Sequence, residues 1–352
     1  MRCTLTLLLL LIGLAGSSNA QIRTDDGRRP IRDWVDPDLG GGVAEGLATA
    51  DVLWLRGYSR NVVRFDRKNG GRTTVATGVI DLLPDGQHLW VLAALNENES
   101  EVRDLRDPMT PKRQVYFEGN PLALFMTPNG PGVLTSEKVL LPTSERWSRR
   151  RLAGSIGGTS GVSPLTNDTL LVGYNHGEWG GGLRRIDVST GALSIVKQSD
   201  SDPCAGALDP ECAPVVGVIA DPENAACALI GTSLSHLSIR RGEVFRICDH
   251  DITMAFRDPL PVEPLSIVNR PGQSWPFDSM IPATDGWVAV GQNRFARSRM
   301  GTVKMADVPD LHGWSGLQVS EEKDGFIFIE AACCWGSDAF VQYRVLAVPV
   351  VD

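Results

Sequence analysis

The sequence contains little of what nucleic-acid-binding proteins and helical enzymes need. Its 34 basic residues are outnumbered by 42 acidic ones, which leaves a net charge of -8. An acidic surface repels polyanions, so we expect no nucleic-acid partner and no attachment to an anionic membrane. Long stretches in which apolar residues recur with the period of a helix are missing as well, and this absence argues against an α/β enzyme fold.

Metal-binding and nucleotide-binding patterns are scarce too. The chain has 5 histidines, and none of them forms a His-x-His or His-Glu-x-x-His pattern, so the sequence predicts no zinc site. The glycine-rich stretch from Gly154 to Gly161 lacks the Lys-Ser/Thr pair of a phosphate-binding loop. No pattern identifies a cofactor, and the sequence leaves the cofactor undetermined.

The N-terminus has the features of a secretory signal. Arg2 supplies a positive charge, residues 5–14 are apolar, and Ser18-Asn19-Ala20 offers small residues for cleavage. The apolar run is well short of the ~20 residues of a membrane-spanning helix, which argues against the alternative of a transmembrane anchor. We therefore predict cleavage of residues 1–20 after Ala20 and a periplasmic or secreted protein without a membrane span. An N-terminal extension over residues 21–43 would precede one main domain over residues 44–352.

The cysteine count fits an oxidising compartment. Of 7 cysteines, Cys3 lies in the predicted signal, and the even number that is left suggests disulfides. Proximity favours three bridges, although about fifteen connectivities are open to six cysteines and some of them can be buried thiols instead. The favoured pairs are Cys204 with Cys212, Cys227 with Cys248, and Cys333 with Cys334, which as neighbours either bridge each other or bond to separate partners.

One unit recurs about every 40 residues along the chain. It consists of an apolar run, a turn rich in Pro, Asp, Asn and Gly, and a second apolar run. Asn-Gly and Asp-Gly between β-prone runs are strong hairpin signals. A second turn follows in some copies, as in Asp187-Val188-Ser189-Thr190-Gly191, so that each unit holds about four antiparallel strands. The turns of the unit lie at residues 46–50, 84–86, 127–130, 166–168, 221–224, 284–286 and 323–325.

Four-stranded units at this interval are typical of one architecture. The turn that contains Asp187 and the Asp-Gly hairpins resemble those of bacterial members of the β-propeller superfamily, and the resemblance extends over residues 44–350. It implies an all-β fold, and the seven copies of the turn predict a seven-bladed β-propeller of four-stranded antiparallel blades, with six or eight blades as neighbouring possibilities. WD-repeat signatures are absent from the sequence. A pair of β-sandwiches and a β-helix are the alternatives.

A propeller would separate the loops of the chain into two faces. The strands of a blade run from A at the axis to D at the rim, so that A–B and C–D turns share one face while B–C loops and D–A connections share the other. The A–B turns are short throughout this sequence, and the irregular segments fall in the second class. Because binding residues concentrate in loops held by a rigid scaffold, we place the site on the second face, near the central channel.

Several residues expected on that face are candidate binding residues because they combine charge, hydrogen-bonding groups and aromatic surface. They are Asn175, His176, Glu178, Trp179, Trp275, Asn293, Arg294 and Trp335. The loop around His176 is the most distinctive, since it joins a titratable base, a carboxylate and an aromatic side chain to three glycines. The alternative is a structural loop in which Trp179 caps the hydrophobic layer.

Two functions follow from these patterns. The favoured one is an exported module that binds a protein, a peptide or an envelope component, with a small molecule as a further option. The alternative is a periplasmic hydrolase, lyase or dehydrogenase at the channel mouth, with His176 as the base and Glu178 or Arg294 orienting the substrate. The basic cluster at residues 146–151 is expected to be a solvated outer strand or turn, or else a contact for an acidic partner.

Overall fold

The structure is a computed structural model of the full chain. It describes residues 39, 43–49, 51–107, 109–110, 112–116, 119–144, 146–196, 208, 214–236, 239–261, 272–291, 294–307, 317–322, 325–332 and 342–349. Within these residues the chain forms antiparallel strands and a single-turn 3-10 helix at Gly177–Trp179. No helix in this described part is long and apolar enough to cross a bilayer.

Six sheets have four strands each, and within each sheet the strands pair in the order of the chain. The first three comprise β1 (Val43–Ala48), β2 (Val52–Gly57), β3 (Val62–Asp66) and β4 (Arg72–Ala76); β5 (Val79–Asp85), β6 (His88–Asn96), β7 (Glu99–Asp104) and β8 (Arg113–Tyr116); and β9 (Pro121–Thr127), β10 (Gly130–Thr135), β11 (Lys138–Pro142) and β12 (Trp147–Arg151). The next three comprise β13 (Gly161–Thr166), β14 (Thr169–Gly173), β15 (Leu183–Asp187) and β16 (Leu193–Val196); β17 (Val215–Ala220), β18 (Cys227–His236), β19 (Ile239–Cys248) and β20 (Asp251–Phe256); and β21 (Ser279–Ala283), β22 (Gly286–Gly291), β23 (Arg294–Arg299) and β24 (Thr302–Asp307).

These sheets are the blades of a β-propeller, because adjacent sheets meet through their first strands. Strand β5 contacts β9, β9 contacts β13, β13 contacts β17 and β17 contacts β21. The first strand of each sheet is therefore the innermost, and the fourth lies at the rim. The all-β propeller architecture predicted from the repeats is confirmed.

The predicted number of blades is wrong. Six four-stranded blades are found rather than seven, and the last sheet has only the strands β25 (Leu317–Glu322), β26 (Gly325–Ala332) and β27 (Gln342–Pro349). Strand β25 contacts both β21 and β1, so this sheet lies between the sixth blade and the first. The sequence-based count relied on hairpins, and the last hairpin is followed by one further strand in the described residues instead of two.

The turn residues explain where the strands reverse. Each recurring turn joins the first strand of its sheet to the second, as at Asp85-Gly86, where Gly86 adopts φ 52. Such a left-handed backbone is unfavourable for most residues and easy for glycine. The second predicted turn joins β15 to β16, where the Asp187 carboxylate accepts hydrogen bonds from the backbone nitrogens of Ser189 at 2.8 Å and Thr190 at 2.9 Å. The Ser189 hydroxyl donates to the same carboxylate at 2.6 Å, and this bond, followed by the backbone bonds, lowers the pKa of Asp187.

The hydrophobic core is divided among the interfaces between blades. In one cluster, Leu92 and Val102 of the second blade pack on Val133 and Leu140 of the third, and all four side chains are fully buried. Similar clusters join the first blade to the second, the third to the fourth, the fourth to the fifth and the fifth to the sixth. Apolar burial therefore fixes the six four-stranded blades against one another and leaves the ends of their strands to the two faces.

Polar side chains from the inner strands add hydrogen bonds between blades. A β-bulge precedes Glu45 in β1 and Asp81 in β5, and a bulge changes the direction in which the following side chain points. The Glu45 carboxylate accepts a hydrogen bond from the backbone nitrogen of Leu82 in the second blade at 3.1 Å. Asp81 in turn accepts one from the backbone nitrogen of Leu124 in the third blade at 2.5 Å. The first three blades are thus linked in sequence.

The two carboxyl groups also interact with each other. Burial, together with the negative charge of Glu45 and a hydrogen bond to it, raises the pKa of Asp81 well above its ordinary value. Arg56 stabilises the ionised Glu45 through a contact of 2.8 Å between its Nε and the Glu45 carboxylate. A protonated Asp81 can donate to Glu45 through one oxygen while its other oxygen accepts from Leu124.

In the fifth blade the residue after the bulge of the first strand is a glycine instead of a carboxylate. A bulge in β17 precedes Gly217, which has no side chain to reach the next blade. A Cβ at this position would lie 2.7 Å from the carbonyl oxygen of Met280, closer than real Cβ atoms come. Here the inner strands approach each other directly.

One predicted disulfide is present. Cys227 and Cys248 lie directly opposite each other on β18 and β19, with their Cα atoms 4.3 Å apart, and their sulfur atoms are bonded. The pairing predicted from two strand-like runs of one repeat is confirmed. Cys204, Cys212, Cys333 and Cys334 lie outside the described residues.

We expect the double substitution Cys227→Ser/Cys248→Ser to lower the free energy of unfolding by about 3 kcal/mol, because the bridge restricts the unfolded chain over a sequence separation of 21 residues. Urea denaturation of the variant and of the native protein measures this difference. Mass spectrometry of non-reduced tryptic peptides is the control, and free thiols at both positions in the native protein would contradict the assignment.

We expect Asp81→Asn to remove a pH dependence of stability. Because the pKa of Asp81 is raised in the folded state, its contribution is complete below the unfolded pKa and is lost as the pH rises through the folded pKa. Asparagine keeps an acceptor for Leu124 and stays neutral, so the variant should match the native protein in acid and exceed it at alkaline pH. Urea denaturation across a pH series measures the effect.

The matched variant for this experiment is Asp81→Ala. It leaves the backbone nitrogen of Leu124 without its acceptor, and we expect it to be about 1–3 kcal/mol less stable than Asp81→Asn over the whole pH range. Equal behaviour of the alanine and asparagine variants would show that the hydrogen bond between the blades has no energetic role.

Candidate binding face

The two faces of the propeller carry different kinds of connection. We call the loop face the one that carries the loops between second and third strands and the connections from blade to blade. The opposite face, here called the turn face, carries the recurring hairpin turns. The described parts of the connection from β20 to β21, residues 257–261 and 272–278, belong to the loop face. So does the end of the hairpin of β18 and β19, whose strands have 10 residues each.

The loop of the fourth blade is shaped by its glycines. Between β14 and β15 the backbone of Gly177, Gly180, Gly181 and Gly182 has positive φ, at 61, 85, 147 and 71. The Asn175 side chain accepts a hydrogen bond from the backbone nitrogen of Gly177 at 2.9 Å. A Cβ at Gly181 would overlap the carbonyl oxygen of Tyr174, so only glycine fits there.

This loop presents Trp179 to solvent. The Trp179 side chain is 80% exposed at the end of the 3-10 turn, so it does not cap the hydrophobic layer. Next to it, the Glu178 carboxylate lies 2.5 Å from Nδ1 of His236, at the end of β18 in the fifth blade. The pair bridges two blades and fixes the position of the turn that carries Trp179.

A shallow cavity of about 300 Å³ lies beside the same loop. Tyr174 and His176 stack there with their ring centroids 6.2 Å apart, and the guanidinium of Arg184 lies 5.5 Å from the centre of the Tyr174 ring. Ile156 and Leu193 contribute apolar surface to the cavity. Burial is the main reason that the pKa of Tyr174 is raised.

Exposed apolar side chains are concentrated on the loop face. Among the large hydrophobic residues that the described chain exposes, those in its loops or at the adjoining strand ends are Tyr58 (63%), Leu95 (49%), Tyr116 (53%), Trp179 (80%) and Ile239 (48%). The turn face has Met109 and Met300. Aromatic groups held at loops of a rigid scaffold are suited to contacts with a partner protein.

The other predicted binding residues do not all lie on this surface. Trp275 is only 4% exposed and packs against Phe277 in the cluster between the fifth and sixth blades, so the prediction that it reaches the face as an anchor is wrong. Its apolar neighbours Pro276 and Phe277 place it in the core. Asn293 and Trp335 lie outside the described residues.

The three residues considered for catalysis are engaged by different partners. His176 stacks on Tyr174, and Glu178 pairs with His236. Arg294, at the start of β23 in the sixth blade, forms ion pairs with Asp258 at 2.9 Å and Asp307 at 3.1 Å. The partners of His176 and Glu178 therefore lie around the fourth-blade loop, whereas those of Arg294 lie beside the sixth blade.

The sequence did not predict a large cavity on the turn face. It has a volume of about 710 Å³ and lies among the hairpin turns of the third, fourth and fifth blades. Its lining is mainly apolar and includes Met126, Pro142, Leu165 and Ala225. Apolar and proline residues at consecutive hairpin turns were the available signal, but the shortness of these turns led us to expect the site on the other face.

Comparisons with known structures agree with the fold. The β-propeller domain of Cps50 (Swd1) from Myceliophteria thermophila has a TM-score of 0.51 and 14% identity, over 91% of this chain and 99% of that one. The WD40 β-propeller domain of Doa1 has a TM-score of 0.51 and 8% identity, over 90% of this chain and 94% of that one. The chain is a β-propeller.

A third structure is an extracellular domain of a hybrid two component system from B. thetaiotaomicron. It has a TM-score of 0.51 and 11% identity, and the match covers 90% of this chain but 39% of that one. No protein-family model matches the sequence, and no curated protein matches it. Identities this low show a shared fold and nothing about function.

We expect Gly181→Ala to destabilise the loop that carries Trp179, with a loss of about 2 kcal/mol or more in the free energy of unfolding. Gly177→Ala is the matched control, because a Cβ there has open space around it and only the positive φ to overcome, at about 1 kcal/mol. Urea denaturation and hydrogen exchange over residues 174–182 measure both effects. Equal losses would contradict the steric argument.

Proposed function

We propose that this protein is an exported binding module that captures a protein, a peptide or an envelope component through its loop face. Trp179 is the central anchor of the contact, and His176, Glu178 and Asn175 surround it with hydrogen-bonding groups. The observation that carries the proposal is the 80% exposure of a tryptophan on a loop that glycines and a bridge between blades hold in place. Large aromatic side chains on pre-ordered loops bind partners at a low entropic cost.

Export to the periplasm or the medium is supported by two independent features. The Cys227–Cys248 disulfide joins two central strands of a blade, and such bonds persist in oxidising compartments. The N-terminal sequence has the charge, the apolar run and the small residues of a signal peptide. The B. thetaiotaomicron domain that shares the fold is an extracellular domain as well.

A small apolar molecule is the second candidate ligand. The turn-face cavity favours it, because its volume of about 710 Å³ falls in the range of ligand sites and its walls are mainly apolar. Binding there would be insensitive to changes at Trp179, which separates this candidate from the first.

The first experiment is site-specific photocrosslinking in the exporting cell. A benzoylphenylalanine in place of Trp179 should give a discrete adduct, and the same group in place of Met300, which is 78% exposed on the turn face, should not. The crosslinked partner is then purified, and its affinity for the native protein is measured by titration calorimetry. We expect Trp179→Ala to weaken this binding about tenfold or more, as loss of a hot-spot aromatic does.

Two controls make the result decisive. Met300→Ala removes a side chain of similar exposure from the other face and should leave the affinity unchanged. Ala225→Trp fills the turn-face cavity and should also leave it unchanged. A partner whose affinity falls with Ala225→Trp and not with Trp179→Ala would contradict the loop-face proposal and support the small-ligand site.

A further inference from the structure

The rim of the third blade has an unusual concentration of positive charge. Its outer strand β12 contains Arg149, Arg150 and Arg151 in succession, and all three are exposed. The outer strands of the other four-stranded blades contain one basic residue or none: Arg72 in β4, Arg113 in β8, none in β16 or β20, and Lys304 in β24. Charged residues protect sheet edges from aggregation. Because the other outer strands have at most one basic residue, such protection does not by itself explain three arginines in succession.

In the part of the chain that the structure describes, these arginines have no acidic partner. None of Arg149, Arg150 and Arg151 takes part in an ion pair within the described residues, although the chain has 42 acidic residues. Arg151 stands directly opposite Lys138 of β11. Like charges that face each other across two strands destabilise a sheet, so the fold gains nothing from this pair.

In the described residues no backbone hydrogen bond from another blade reaches Trp147 or Arg149 of β12, so this part of its outer side is open. The far end is covered, because Gly191 of the β15–β16 turn lies against the carbonyl oxygen of Arg151. Leu152 donates its backbone N–H to Glu137 at 2.8 Å, and in an antiparallel pair every second residue bonds to the same partner strand. The residues that bond to β11 are therefore Ser148 and Arg150, while the backbone groups of Trp147 and Arg149 point away from the blade. The side chains of Arg149 and Arg151 share one face, since they are two residues apart.

The start of this edge is held in place by the neighbouring blade. The Trp147 indole Nε1 donates a hydrogen bond to the carbonyl oxygen of Gln114 in β8 at 3.0 Å. Trp147 also packs on the apolar cluster between the second and third blades. An edge that is already ordered loses little conformational entropy when another strand pairs with it.

We propose that the open edge of β12 binds an acidic peptide segment in extended conformation. The peptide adds as a further strand to the third blade, so that its main chain pairs with Trp147 and Arg149 while alternate Glu or Asp side chains lie against Arg149 and Arg151. Bidentate pairing with carboxylates suits arginine better than lysine. The open main-chain edge favours a peptide over a polysaccharide or a lipid surface, neither of which forms strand hydrogen bonds. The site is separate from the loop face and does not depend on it.

Fluorescence anisotropy with a labelled peptide of alternating glutamate and valine tests the proposal. At low salt we expect measurable binding that Arg149→Gln/Arg151→Gln weakens about five- to tenfold, the effect of two cross-strand charge pairs. Arg72→Gln/Lys304→Gln removes the same charge from two other outer strands and should leave the affinity unchanged. Thermal unfolding of both variants checks that these exposed substitutions preserve the fold.

A second peptide separates strand pairing from simple attraction. It has the same sequence and charge, but N-methyl groups on alternate residues block the main-chain donors that would face β12. We expect this peptide to lose binding. Equal binding of the methylated peptide, an equal loss in the Arg72→Gln/Lys304→Gln control, or no binding of the unmethylated peptide would overturn the proposal. Binding of dextran sulfate or phosphatidylglycerol vesicles with the same arginine dependence, in preference to the peptide, would also overturn it.

Discussion

The inner edge of each blade poses the constraint on which the ring depends. The first strand of a blade is paired on one side only, so the backbone groups on its other side need partners from the adjacent blade or from water. Glu45 and Asp81 supply such partners to Leu82 and Leu124. Apolar packing between blades contributes most of the driving force for assembly, and these directional bonds join the inner strands of the first three blades at defined positions.

Because the ring is fixed from within, its faces are free to differ. The loop of the fourth blade exploits this freedom, since its glycines adopt backbone conformations that a regular strand connection would not need. The bridge from Glu178 to His236 then ties the loop to the fifth blade. Binding through a tryptophan on a mobile loop loses conformational entropy, because the loop must become ordered in the complex. This loss is much smaller when the loop is already constrained in the free protein.

Much of the architecture was predictable because hairpin turns depend on local chemistry. The Asp85-Gly86 turn and the Asp187 turn both occur where the sequence predicted them, and the Cys227–Cys248 bridge follows from two runs that pair in register. The number of blades was not predictable in this way, since a hairpin indicates two strands and says nothing about whether a third and a fourth follow.

The position of Trp275 was not predictable either, because an aromatic residue before an inner strand can lie in the core or on the face of the propeller. Its burial depends on Phe277 and Arg294, which reach it only in the assembled blades. The role of Asp81 could not be predicted for a related reason. A single carboxylate in an apolar strand becomes a hydrogen-bond acceptor between blades only when the next blade places Leu124 beside it.

The two ways of joining inner strands have a consequence for the evolution of the chain. Asp81 cannot give way to glycine without depriving Leu124 of its acceptor, and Gly217 cannot give way to a carboxylate because Met280 is too close. The inner strands of the second and fifth blades are therefore specific for their neighbours. A gene rearrangement that rotates the starting point of the chain keeps every neighbour relation, whereas one that exchanges two blades brings a carboxylate against a tight glycine contact. The order of the blades thus depends on residues of the inner strands, such as Asp81 and Gly217, and not on the hairpin turns by which the repeats are recognised.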